Sequence, residues 1–272
     1  MGRVLAIANQ KGGVGKTTTC LNLGAALAAR GRRVLLVDGD YQSNLTEGCG
    51  INPYEQQYTT YDVFHNAKRG AAFAIQTVQP QPLARAAGVS DSPGDNGASG
   101  FDLIAATPDM AALDLELMSW MKREEVLRNA LKPVRDDYDY VLIDAPPALD
   151  LIAINILAAA DSLLVPLQVH TYALRGLALL QKTTAMVAEQ LNPNLHISGV
   201  VCTMTDNRNK LSRTVENEAR RLLGDVVYKT TIPQNVRLAE APAAGLPIQS
   251  YDPTSAGAKA YTALAEEVDR AG

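Results

Sequence analysis

The stretch Asn9-Gln10-Lys11-Gly12-Gly13-Val14-Gly15-Lys16-Thr17-Thr18 joins a short apolar run, Val4 to Ala8, to a longer one rich in Ala and Leu, Thr17 to Arg30. Strand, glycine-rich loop, Gly-Lys-Thr and helix in that order make a phosphate-binding loop, and few folds can present one. Glycines 12, 13 and 15 let backbone N–H groups crowd around phosphate oxygens, while the helix N-terminus adds a favourable dipole. Lys16 is expected to bridge the β- and γ-phosphates and the Thr17 hydroxyl to ligate Mg²⁺. The expected cofactors are therefore ATP and Mg²⁺, held by the loop at residues 10 to 18. The general pattern has glycine where this chain has Gln10, and a second lysine, Lys11, follows at once.

The rest of the chain alternates short β-branched or Leu/Val-rich runs with longer amphipathic ones. Expected strands are Val4 to Ala8, Arg33 to Val37, Asp102 to Ala105, Tyr140 to Ile143, Ser162 to Val165, His196 to Cys202 and Val226 to Thr230. Expected helices include Thr17 to Arg30, Tyr172 to Gln190, Ser212 to Leu223 and Ala256 to Arg270. Such alternation predicts an α/β fold, doubly wound, with a mostly parallel sheet and helices on both faces. With 272 residues, 47% hydrophobic and 20% charged, the chain can bury a sizeable core as one domain spanning 1–272. Residues 79–100 carry three Pro, four Gly and three Ser without an apolar period, and read as a flexible insertion.

Three cysteines, Cys20, Cys49 and Cys202, form no Cys-x-x-Cys pair, so neither a disulfide framework nor a zinc site is expected. His65, His170 and His196 lack neighbours at metal-ligand spacing and read as structural or surface residues, while Trp120 and the Met110 to Met121 stretch read as helix packing. The N-terminal apolar run is too short for a signal peptide. The richest apolar stretch, Leu149 to Leu167, is broken by Asp150, Asn155, Asp161 and Pro166. A soluble, cytoplasmic protein is expected.

Two strand ends are acidic. Val34-Leu35-Leu36-Val37 runs into Asp38-Gly39-Asp40-Tyr41-Gln42, and Tyr140-Val141-Leu142-Ile143 runs into Asp144-Ala145-Pro146-Pro147. Ligands of open parallel sheets gather at the C-terminal strand ends, so these carboxylates are expected to face the phosphates.

The segment Lys11-Gly12-Gly13-Val14-Gly15-Lys16-Thr17 resembles the deviant Walker A motif of the ParA/MinD family of P-loop ATPases. The resemblance implies that Lys11 reaches across a dimer to the nucleotide of the other subunit, giving an ATP-sandwich homodimer in which Lys11 and Lys16 both serve catalysis. It further implies that Asp40 positions or activates the attacking water, that Asp38 supports Mg²⁺ and its waters, and that Asp144 holds Mg²⁺ through water. The family has proline where this chain has Tyr41.

Toward the C-terminus, Thr231-Ile232-Pro233-Gln234-Asn235-Val236-Arg237-Leu238-Ala239-Glu240-Ala241-Pro242, then Gly245-Leu246-Pro247, is similar to the chromosomal ParA (Soj) subgroup. There the resemblance places Pro233 and Asn235 against the adenine, and assigns Arg208 and Arg237 to sequence-independent binding of double-stranded DNA by the ATP dimer. The net charge is only −4, but Asp206 to Arg237 holds seven Lys/Arg against four Asp/Glu. Lys210 and Arg213 lie in the same basic stretch. The implied activity is an Mg²⁺-dependent ATPase that partitions a chromosome or plasmid, is associated with the nucleoid, and is released from DNA by a centromere-binding ParB-type partner. A MinD-like membrane-associated ATPase is the alternative; it needs a basic, bulky amphipathic anchor, whereas residues 263–272 are acidic and poor in aromatics. A metal-cluster carrier and a small-molecule kinase or ligase on the same fold complete the alternatives.

Overall fold

The computed structural model describes residues 2–81, 100–170, 173–206 and 208–271. Most of the insertion expected at 79–100 lies outside the described residues. Eight strands, β1 (Arg3–Ile7), β2 (Val34–Asp38), β3 (Ile75–Val78), β4 (Phe101–Ile104), β5 (Tyr140–Asp144), β6 (Ser162–Gln168), β7 (His196–Thr205) and β8 (Val227–Pro233), form one sheet. Their order is β3-β4-β2-β5-β1-β6-β7-β8. Every neighbouring pair is parallel except β3 with β4.

Five longer helices cover the sheet: α1 (Lys16–Ala29), α2 (Leu151–Ala159), α3 (Ala173–Gln190), α4 (Lys210–Leu223) and α5 (Ala256–Arg270). Successive strand residues face opposite ways, so each central strand feeds two cores. Val4 and Ala6 of β1, with Val141 and Ile143 of β5, pack beneath Ile156 of α2, Leu177 of α3 and Val215 of α4. Leu5, Ile7 and Leu142 pack on the other face with Leu21 and Leu27 of α1 and Tyr261 and Leu264 of α5. A fully buried Leu or Ile contributes roughly 1.5–3 kcal/mol of transfer free energy. The doubly wound fold thus follows from strands apolar on both sides.

The seven strands expected from the sequence are present to within a few residues, but β6, β7 and β8 run on to Gln168, Thr205 and Pro233. Pro166 lies inside β6, a position that ordinarily breaks a ladder. Here β1 pairs with β6 only as far as Leu164, so the missing N–H faces no strand on that side. The Pro166 carbonyl on the same side accepts instead from Asn9 Nδ2 at 2.8 Å. Of these strands and longer helices, two were not expected: the antiparallel edge strand β3 and the helix α2. The helix hides in the Leu149 to Leu167 stretch because it is apolar all round, and its start is set by the Asp150 cap, which accepts from the Ala153 N–H at 2.9 Å.

The central order β2-β5-β1 matters most for the site. The register aligns Asp38 with Asp144 and Ile7 with Asp144, so the loops that leave β1, β2 and β5 emerge side by side at one sheet edge.

Candidate functional site

The loop after β1 turns on two glycines in the left-handed region, Gly13 (φ 72°) and Gly15 (φ 90°), the second capping α1. Non-glycine residues rarely adopt that conformation. A Cβ at Gly12 or Gly13 would meet nothing within 4 Å, so both face open space. The loop is pinned from beneath: Thr203 Oγ1 of β7 donates to the Val14 carbonyl at 2.8 Å. That space opens into a cavity of about 590 Å³ whose walls include Gly12, Gly13, Lys16, Thr17, Thr18 and Asp40.

Lys16 is buried, with Nζ 3.4 Å from the Lys11 carbonyl. Burial lowers its pKa, opposed by the charges of Asp144 and then Asp40. Thr17 Oγ1 donates to Asp144 Oδ2 at 2.6 Å, and the other carboxylate oxygen, Asp144 Oδ1, is buried without a partner. Burial, reinforced by Asp38, pushes the Asp144 pKa well above the ordinary carboxylate range. A hydroxyl, an orphaned carboxylate oxygen and glycines facing open space fit a hydrated divalent cation carrying a polyphosphate. Thr17 and Asp144 are the residues that would hold it.

The loop after β2 is built on Asp38. Its Oδ2 accepts from the Thr46 N–H (2.9 Å) and Thr46 Oγ1 (2.7 Å), and its Oδ1 from the Asp40 N–H (3.2 Å). Complete burial raises its pKa to about 6 against these hydrogen bonds. Its carboxylate therefore shapes the loop, and it does not line the cavity as Asp40 does. Asp40 is held in place by the Gln42 N–H, which donates to Oδ1 at 3.0 Å. Gly39 touches the β5 end so closely that a Cβ would sit 2.7 Å from the Asp144 carbonyl oxygen. Tyr41, at the position of the family's proline, is exposed.

The remaining site residues are placed as follows. Lys11 is exposed, and its Nζ donates to Gln168 Oε1 at 3.1 Å and to His170 Nε2 at 2.6 Å. His170, read from the sequence as structural or surface, is half-buried and meets Lys11, a contact that no local spacing signalled. Pro233 ends β8 and lines an adjacent cavity with Arg208, Thr205 and Val236, not the phosphate cavity. The Asn235 side chain caps a short helix, accepting from the Arg237 N–H at 2.8 Å. Leu21, Met204, Pro242 and Ala243, none of them assigned a role in the sequence, line the apolar side of the phosphate cavity.

Arg208 and Arg237 are exposed at one edge, but both are paired: Arg208 with Asp206, Arg237 with Glu240 and Asp252. Lys210 and Arg213 at the start of α4 are exposed and form no ion pair among the described residues. Among the described residues no three His, Cys, Asp or Glu side chains converge as a metal site, and all three cysteines are buried free thiols.

Comparison with known proteins agrees with this geometry. The family described as AAA domain matches residues 2–197. The chromosome partitioning protein ParA of Caulobacter vibrioides is 46% identical over 98% of this chain and 93% of its own length. The chain belongs to the ParA/Soj family of P-loop ATPases. Soj of Bacillus subtilis, described as a sporulation initiation inhibitor protein, is 44% identical over 98% of both proteins. The crystal structure of a Mycobacterium smegmatis protein named cobyrinic acid a,c-diamide synthase, bound to an ATP analogue and magnesium, is 32% identical over 99% of this chain and 95% of its own, with a TM-score of 0.79. The eight-stranded, mostly parallel sheet with its helices matches the fold of these P-loop neighbours.

Proposed function

We propose that this chain is a partitioning ATPase whose ATP-bound form dimerises, binds DNA without sequence preference, and is released when a ParB-type partner stimulates hydrolysis. The observation that carries the reading is the convergence of Lys16, Thr17 and Asp40 on a glycine-walled cavity, with Thr17 hydrogen-bonded to Asp144. Bound Mg²⁺ supplies charge neutralisation of the phosphates when present. Thr17 and Asp144 hold the ion, Lys16 offsets charge on the transferring phosphoryl group, and Asp40 orients the water that attacks it. Asp38 positions Asp40 through the backbone. Lys11 completes the site from a second subunit, and Pro233 and Asn235 take the adenine.

DNA binding by Arg208 and Arg237 requires that their present acidic partners give way to phosphates. Exposed ion pairs contribute ~0–1 kcal/mol, so the exchange costs little. Two such arginines per subunit make four in a dimer, and the ATP switch works by doubling a weak surface. Lys210 and Arg213 extend that surface.

The test is sedimentation of the full chain with a non-cleavable ATP analogue and Mg²⁺, with and without duplex DNA. A dimer that binds DNA only in the nucleotide-bound state is the expected result; a monomer at high concentration overturns the reading. The name of the M. smegmatis relative supports a second reading, ATP-driven amide ligation. Turnover that rises with cobyrinic acid and an amide donor, and not with DNA and a ParB-type protein, would favour it.

A further inference from the structure

In the single subunit, the first half of the phosphate loop is fastened to one corner of the fold. Asn9 Nδ2 donates to the Pro166 carbonyl in β6 (2.8 Å), and its Oδ1 accepts from the Lys11 N–H (3.1 Å). Gln10, which stands where the general phosphate-loop pattern has glycine, donates through Nε2 to Thr183 Oγ1 in α3 at 3.1 Å. The Lys11 ammonium then reaches Gln168 Oε1 and His170 Nε2 at the end of β6. Gln168 and His170 are two residues apart, and the His170 N–H donates to the Gln168 carbonyl at 3.0 Å. That tight turn lets both side chains face Lys11 together.

An ammonium group only donates, so His170 Nε2 accepts and the ring is neutral with its proton on Nδ1. Burial, and then the nearby Lys11 charge, hold the His170 pKa below its ordinary value, which keeps the ring an acceptor at neutral pH. Two of the three ammonium hydrogens are thus committed within the chain that carries them.

We infer that Gln168 and His170 form a docking point that retains Lys11 on its own subunit and competes with its reach to a second subunit's nucleotide. The inference rests on the sandwich-dimer reading above. Each subunit must surrender these hydrogen bonds before its lysine can cross, so the docking point sets the nucleotide concentration and protein concentration at which pairing occurs. Gln168 and His170 act through Lys11 and are positioning residues.

The test measures the monomer–dimer midpoint of the full chain by sedimentation with a non-cleavable ATP analogue and Mg²⁺. Losing one exposed hydrogen bond in each of the two subunits is together worth about 1.4 kcal/mol, which shifts the midpoint by about tenfold. His170→Ala and Gln168→Ala are expected to dimerise at about tenfold lower concentration, while His170→Gln, which keeps an acceptor, returns toward the wild type. In a Lys11→Ala background the His170 and Gln168 substitutions are expected to have no effect, which a merely structural role would not predict. Nitrogen-15 NMR of the nucleotide-free protein is expected to show the His170 Nδ1–H tautomer, disturbed by Lys11→Ala. Unchanged midpoints in a wild type that dimerises through Lys11, or equal shifts in the Lys11→Ala background, overturn the docking point while leaving the sandwich reading intact. A wild type that never dimerises overturns the sandwich reading, and the competition with it.

Discussion

Thr17 Oγ1 donates to Asp144 Oδ2 across 2.6 Å, joining the first turn of α1 to the last residue of β5. The pair brings two loops 127 residues apart in sequence to one point, beside a carboxylate oxygen that has no partner of its own. Thr17→Ala is expected to weaken Mg²⁺ affinity in the presence of nucleotide by ~10–100-fold. Nucleotide affinity without Mg²⁺ should change far less. A magnesium titration followed with a fluorescent ATP analogue checks both, and equal losses with and without the metal would remove Thr17 from the ion.

Asp40 is the one carboxylate of the three that lines the cavity. Asp40→Ala is expected to lower ATP turnover by ~10²–10⁴-fold, the range for losing a group that orients or deprotonates the attacking water. ATP binding and ATP-dependent DNA retention should persist. Steady-state phosphate release and DNA retention measured on the same sample decide it; normal turnover in the variant rules out the water-orienting role.

Four arginine–phosphate contacts per dimer predict that log affinity for DNA falls with log salt at a slope of about −3.6. Removing Arg208 or Arg237 alone should bring the slope to about −1.8. A slope unchanged by both substitutions would transfer the contact to Lys210 and Arg213. Fluorescence anisotropy over a salt series measures it.

Asp150, the α2 cap, shares hydrogen bonding with Asp114, whose Oδ1 also accepts from the Ile152 N–H at 3.2 Å. Burial first, and Asp114 as well, raise the Asp150 pKa to about 6. A raised carboxyl pKa in the folded state means that the fold binds this proton more tightly than the unfolded chain does. The associated stability is complete below about pH 4 and is lost as pH rises through about 6. Asp150→Asn keeps an acceptor for the cap and has no charge to titrate. The wild type is therefore expected to lose thermal stability relative to Asp150→Asn between about pH 4 and 6, by a few degrees in calorimetry. A constant difference across that range would show that the pair does not titrate there.

The phosphate loop, both acidic strand ends and the parallel α/β order were legible because each is a local signal: a glycine spacing, an apolar run closed by Asp, a change of period. Strand β3 was not legible. Its four residues are mostly half-exposed or exposed, so they carry no apolar alternation. Helix α2 failed for the opposite reason, being apolar on every side and so without a helical period. Contacts that join distant residues, such as Lys11 with His170 or Asp114 with Asp150, leave no trace in spacing because only the fold brings them together. The charge count around Arg208 marked a basic segment correctly, but could not reveal that Asp206, Glu240 and Asp252 already occupy its two leading arginines.

The absent side chain at Gly39 lets the β2 loop lie directly against the Asp144 carbonyl. With no room for even one methyl group between them, the two acidic corners cannot shift independently. Whatever displaces the backbone at Asp144 must also tilt the loop that carries Asp40, so under the proposed roles of the two residues, occupancy and readiness to hydrolyse are geared together by contact alone.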